Sequence, residues 1–131
     1  MNIIEFFDQN WQLQKWQQGF SKRERTLLTG LSGTAKSLVM ANAYENVADK
    51  YIIVTDSQFH ANELYDELST LLGEEKVFQF FSDDNIYAEF ALASKDRVAY
   101  RLEALNFLLD EKSTGFLVRS EERRVGKECR S

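Results

Sequence analysis

The sequence predicts an α/β fold in which a parallel sheet carries helices on both faces. Two observations support this class: strand-like apolar runs of four or five residues recur along the chain, and segments of about a dozen residues with helical periodicity separate them. Parallel strands need crossover connections of that kind. With 131 residues, 44% of them apolar, and no proline, the chain is large enough to bury one hydrophobic core.

Residues 1–24 are predicted to form an N-terminal helical segment. Asn2 and Glu5 have the spacing of a capping box, in which each side chain satisfies a backbone amide of the first turn. Gly19 can adopt the left-handed conformation that ends a helix. The apolar side chains expected on one face, or further along it, are Ile4, Phe7, Trp11 and Trp16.

Residues 25–118 are predicted to form one lobe of alternating strands and helices. The strand candidates are 26–29, 51–54, 77–81 and 115–118. The residues that indicate the intervening helices are Leu38, Val39, Ala43 and Val47, then Ala61, Leu64, Leu68 and Leu71, then Val98, Leu102, Leu105 and Leu109. Gly73 is expected to end the second of these helices.

One loop, residues 30–37, has chemical specificity. Its sequence, Gly-Leu-Ser-Gly-Thr-Ala-Lys-Ser, nearly matches the phosphate-binding motif G-x-x-x-x-G-K-[ST], and it lies between a predicted strand and a predicted helix. In that motif backbone amides and Lys hold phosphates, while Ser or Thr holds magnesium. Ala35 replaces the second required glycine, so we expect a degenerate site. The candidate nucleotide-binding residues are Gly30, Gly33, Thr34, Ala35, Lys36 and Ser37.

No catalytic residue and no metal ligand is assigned. Hydrolysis of a nucleotide needs a further carboxylate for magnesium, and no acidic residue at the end of an apolar strand fits that role clearly. Asp83 and Asp84 follow the third strand candidate and are interpreted as a helix cap. His60 has no cysteine or histidine partner in sequence and is expected at the surface, near the start of the second helix of the lobe. Cys129 has no second thiol with which to pair.

The charge and hydropathy patterns argue against two classes of partner. A formal net charge of -5 lacks the basic footprint of an autonomous DNA-binding domain. No apolar run is long enough to span a bilayer, and the first seven residues are too short and acidic for a signal peptide. We therefore expect a cytoplasmic protein with no membrane partner.

Residues 119–131 break from the preceding pattern and are predicted to be a sequencing-adapter artefact. Codons of a common adapter encode residues 119–126 in order. A natural, solvated basic tail is the alternative. Excluding the five basic and three acidic side chains of this segment changes the formal net charge from -5 to -7.

Residues 1–118 resemble the N-terminal part of transcription-repair coupling factors from streptococcus-like bacteria. The segments that carry the resemblance are 1–5, 30–33 with Lys36, 77–81 with Asp83 and Asp84, 88–90, Ala93 and Ser94 with Asp96, and Arg101 with Glu103, Leu105 and Phe107. In that family the first module is similar to the B component of the nucleotide excision repair excinuclease. The resemblance therefore implies an incomplete RecA-like P-loop lobe of the helicase type, whose P-loop has lost its catalytic partners.

The resemblance also implies a division of labour within a longer protein. The full-length family member uses ATP and magnesium in a separate translocase motor on DNA, dislodges stalled RNA polymerase and recruits the A component of the excinuclease. This lobe is then a non-catalytic scaffold with no cofactor of its own, and its contacts are intramolecular, with domains further along. Whether the chain has any enzymatic activity stays open at this stage.

Three alternatives compete with the scaffold interpretation. The first ATP-binding lobe of the excinuclease B component is similar, but that protein has a long DNA-gripping insertion where this chain has only residues 82–100. An independent small P-loop kinase or ATPase would need phosphate-binding arginines and a magnesium carboxylate. A simple protein-interaction module is the third alternative, and it overlaps the scaffold.

Overall fold

The structure, a computed structural model, describes residues 5, 8–81 and 91–121. Its elements in chain order are α1 (Trp11–Ser21), α2 (Ala35–Asn46), β1 (Lys50–Thr55), α3 (Gln58–Leu72), a 3-10 turn (Glu74–Lys76), β2 (Val77–Phe80), α4 (Ala91–Leu109) and β3 (Gly115–Ser120). Helices and strands therefore alternate from α2 onward, as the sequence predicts.

The strands form a parallel sheet in the order β1-β3-β2. The last strand in sequence, β3, lies between the other two, and its Leu117 is in register with Ile52 of β1 and Phe78 of β2. A central parallel strand is buried on both faces, and its sequence is therefore a continuous run of apolar residues. Phe116, Leu117 and Val118 are accordingly all buried.

Alternate residues of β3 enter two separate hydrophobic clusters. Phe116 and Val118 pack on one face with residues of α2, α3 and β2, namely Ala41, Ala61, Leu68 and Val77. Leu117 packs on the opposite face with Ala104 and Phe107 of α4. The expectation of helices on both faces of a parallel sheet is confirmed.

The ends of α3 follow from local residue chemistry. The Ser57 hydroxyl caps the helix by accepting from the His60 amide at 3.2 Å. Gly73 ends it with φ of 97°, so the predicted glycine stop is confirmed. His60 is exposed in the first turn of this helix, as expected.

Glu5 is helical, but the predicted N-terminal helix does not continue unbroken to Gly19. Residues 8 and 9 form a turn, and α1 begins at Trp11 behind Asn10, whose side chain accepts from the Gln12 amide at 2.9 Å. Gly19 does not end the helix, because the left-handed residue is Arg23, with φ of 54°. Asn2 of the predicted capping box lies outside the described residues.

The first predicted strand is also wrong. Residues 24–29 have no regular secondary structure, and the Leu27 side chain is 85% exposed. A strand is stable only when a neighbour satisfies its backbone groups. Within the described part of the chain β1 pairs with β3 alone, so residues 26–29 have no strand beside them.

The last strand extends beyond its predicted end. Ser120 is buried and its hydroxyl donates to Oε1 of Gln58 at 3.0 Å, while the Glu121 amide donates to the Thr55 carbonyl oxygen at 2.8 Å. Residues 119 and 120 thus belong to β3. The adapter origin of residues 119–131 stays a prediction, and the proposed cap at Asp83 and Asp84 lies outside the described residues.

Candidate functional site

The candidate loop joins the irregular segment after α1 to the start of α2. Gly30 and Gly33 have positive φ values of 82° and 57°, in the region that only glycine enters without strain. No heavy atom lies within 4 Å of a Cβ built at either position. The two glycines are therefore required by backbone conformation, while the space around them is open.

The loop itself satisfies one backbone amide at the N-terminus of α2. The Ala35 amide donates to the Ser32 carbonyl oxygen at 3.2 Å, and Thr34, the N-cap, makes no side-chain capping hydrogen bond. A phosphate at a helix N-terminus is held by amides that have no other acceptor. The Ala35 amide already has one.

Ser37 occupies the position that would bind magnesium in a P-loop, but it is engaged elsewhere. It is buried, and its hydroxyl donates to the carboxylate of Glu67 on α3. The adjoining cavity of about 410 Å³ is lined by Thr34, Ser37, Leu38, Asp66, Glu67, Thr70 and Leu71. Glu67 is not among the residues predicted from the sequence. The sequence offered one indication of its position: Glu67 is adjacent to Leu64, Leu68 and Leu71, the apolar residues of α3 that face the core.

Lys36 is exposed and lies beside a different cavity. That cavity, of about 420 Å³, is lined by Trp16, Leu28, Gly30, Leu31, Lys36, Val39 and Met40. Ser37 does not line it. In a working P-loop the lysine and the serine act on the same phosphate and magnesium, so this arrangement separates two groups that the motif needs together.

Asp56 follows the end of β1 and carries a charge that interacts with Lys36 of the loop. A hydrogen bond with His60, whose Nδ1 lies 2.5 Å from Oδ1 of Asp56, is the main cause that lowers the pKa of this aspartate. The positive charge of Lys36 lowers the Asp56 pKa further. Lys36 is therefore close to the carboxyl end of β1, the side on which ligands bind in open α/β sheets.

The loop residues are partly engaged within the chain. The Ala35 amide and the Ser37 hydroxyl have internal partners, and Ser37 and Lys36 line different cavities. Among the residues that the structure describes, no group of three or more His, Cys, Asp or Glu side chains is placed to hold a metal ion. Nor does any helix in the described ranges have the length and apolar character needed to cross a membrane.

Comparison with known proteins gives a consistent family. No protein-family model matches the chain, and no solved structure matches it. The transcription-repair-coupling factor of Bacillus subtilis is 36% identical over 83 residues, which is 63% of this chain and 7% of that protein. The protein of the same name from Staphylococcus aureus strain USA300 is 27% identical over 93 residues, 71% of this chain and 8% of that protein. The matched region thus spans less than a tenth of these relatives, and over that region the chain is similar to transcription-repair-coupling factors.

Proposed function

We propose that this chain is a non-catalytic scaffold lobe of a transcription-repair coupling factor that resembles the streptococcal proteins. The parent protein would couple the removal of stalled RNA polymerase to nucleotide excision repair. The names of the relatives support a role in transcription-repair coupling. The alternation of strands and helices is compatible with an incomplete RecA-like lobe. DNA, RNA polymerase, the excinuclease A component, ATP and magnesium would be bound by other parts of that protein.

The observation that carries the scaffold role is the contact between Ser37 and Glu67. Ser37 is buried and donates a hydrogen bond to Glu67, and it does not line the cavity beside Lys36. The same contact links α2 to α3, the two helices that cover one face of the sheet. In this proposal the degenerate loop stabilises the packing of the lobe.

A chimaera tests the proposal, in which this lobe replaces the matching region of the Bacillus subtilis relative. We expect Lys36→Ala to leave ATP hydrolysis and polymerase displacement within about twofold of the unsubstituted chimaera, a difference of at most about 0.4 kcal/mol in activation free energy. A lysine substitution in the P-loop of the motor itself serves as the inactive control. Loss of hydrolysis in the Lys36→Ala protein, with an unchanged circular dichroism spectrum, would exclude the scaffold role.

A further inference from the structure

A short basic segment lies near the start of this acidic chain. Residues 11–25 contain four basic side chains against the single acidic side chain of Glu24, a net charge of +3, whereas the whole chain has a formal net charge of -5. The basic residues are Lys15, Lys22, Arg23 and Arg25. All four are exposed, and within the described part of the chain none of them forms an ion pair. Because charges more than about 8 Å apart are largely screened at physiological ionic strength, this concentration acts locally despite the net charge.

The helix α1 turns one side to the lobe and the opposite side to solvent. On the inner side Leu13 is buried, and the Phe20 ring is in edge contact with Tyr51 of β1, with ring centres 5.8 Å apart. The residues of the opposite side recur at intervals of four, three and four residues, and all are exposed: Trp11, Lys15, Gln18 and Lys22. We call these four residues the outer face of α1. The last of them is the C-cap, which still has right-handed helical dihedral angles.

The outer face combines positive charge with an aromatic ring. Its Trp11 side chain is 68% exposed, and no residue of α1 is acidic. Unpaired bases stack on exposed aromatic rings, while Lys and Arg neutralise the phosphates of the strand. A base-paired duplex keeps its bases stacked on one another, and an acidic peptide segment has no base to offer the indole ring. The combination therefore favours a single strand over either of these partners.

We propose that the outer face of α1, together with Arg23 and Arg25, binds single-stranded DNA. The basic side chains contact phosphates, and one base stacks on Trp11. The choice of DNA rests on the proposed function, in which other parts of the parent protein bind DNA and this face adds a weaker contact. Four phosphate contacts on a single strand predict a slope of about -2.8 for log affinity against log salt, so the affinity falls about fiftyfold between about 25 and about 100 mM KCl.

Fluorescence anisotropy of a labelled oligothymidine of about 15 nucleotides, titrated with the 131-residue chain at about 25 mM KCl, tests the proposal. Lys15→Glu is compared with Lys112→Glu, which changes the net charge equally at another exposed lysine. Trp11→Ala is compared with Phe59→Ala, which removes an aromatic side chain of α3 that is 67% exposed. We expect Lys15→Glu and Trp11→Ala each to weaken binding at least about fivefold, and both controls to stay within about twofold of the unsubstituted chain.

The design separates the outer face from other sources of binding. Residues 119–131 carry five basic side chains and are present in every variant, so differences between variants report on the substituted positions. Lys22→Glu takes the place of Lys15→Glu if the circular dichroism spectrum of that variant is altered. Lys36 is unchanged in all these proteins. ATP hydrolysis retained by the Lys36→Ala chimaera would therefore leave the scaffold role standing even if DNA binding failed.

Four results would overturn the proposal. Absence of binding at low salt is the first, and equal weakening by Lys15→Glu and Lys112→Glu, which would mean that only total charge matters, is the second. The third is an unchanged affinity in Trp11→Ala or tighter binding of a duplex of the same length, because neither is compatible with a base stacked on the indole ring. The fourth is tighter binding of a polyglutamate peptide of equal charge, which would identify an acidic protein segment as the partner.

Discussion

At the scale of single residues, the contact between Ser37 and Glu67 links the first turn of α2 to α3. Both side chains lie between α2 and α3, and the serine is buried. We expect Ser37→Ala to lower the free energy of unfolding by about 1–2 kcal/mol, because the Glu67 carboxylate loses its donor in a partly buried place. Urea unfolding of Ser37→Ala, Glu67→Gln and the double variant measures the coupling. Additive effects would show that the contact contributes nothing.

Gly115 lies against the backbone of Lys76, whereas no other part of the chain lies close to Gly30. A Cβ at Gly115 would lie 2.2 Å from the Lys76 carbonyl oxygen, and the residue has φ of 148°. We expect Gly115→Ala to lower the free energy of unfolding by about 3 kcal/mol or more. Gly30→Ala, with φ of 82° and open space, should cost only about 1–2 kcal/mol, which is the matched control. Equal losses in urea unfolding would contradict this assignment.

At the scale of elements, the segment that includes α1 is held to α2 by polar contacts. Oδ1 of Asp8 accepts from Asn42 at 2.7 Å and from Asn46 at 2.9 Å, and Gln17 of α1 donates to Asn42 at 2.5 Å. The hydrogen bond from Asn46, followed by that from Asn42, lowers the pKa of Asp8 below its usual 3.8. Both asparagines belong to α2, so the charge of Asp8 stabilises the attachment of this segment to the lobe.

This lowered pKa predicts a defined pH dependence. A depressed folded-state pKa adds stability above the unfolded pKa of about 3.9, and that stability is lost as the pH falls through the folded value. We expect the chain to melt at a higher temperature than Asp8→Asn above about pH 5, with the difference shrinking toward pH 2. Melting followed by circular dichroism across this range provides the measurement. A difference that is constant with pH would refute the role of the Asp8 charge.

The elements differ in how far the sequence predicts them. β2, β3, α2 and α3 are predicted because much of their apolar pattern agrees with their burial, whereas α4 and β1 are predicted although the apolar residues Leu102, Leu105 and Ile52 are exposed. Residues 26–29 have the composition of a strand, but strand pairing is a long-range property that composition does not report. The contact from Ser37 to Glu67 joins residues 30 positions apart, so motif spacing does not reveal it. The helix after residues 30–37 is present as predicted, while the strand predicted before them is not.

At the scale of the whole molecule, the fold has a covered face and an incompletely covered one. The face with α2 and α3 has a continuous core around Phe116 and Val118, whereas the other face leaves Ile52 and Val54 largely exposed. Ile52 and Val54 thus form a small apolar patch on this face. We therefore expect the lobe to be less stable by itself than inside its parent protein, because burial of the patch contributes about 25 cal/mol per Å² of apolar area.

The central claim is that residues 30–37 form a structural turn in a lobe that does not use nucleotide. Calorimetric titration of the 131-residue chain with ATP and magnesium tests it most directly, once circular dichroism has established that the chain is folded. Lys36→Ala is the test variant, and Lys112→Ala, at another exposed lysine, is the control. We expect no binding heat at millimolar ATP in any of the three proteins. Micromolar binding that is lost in Lys36→Ala and kept in Lys112→Ala would contradict the account.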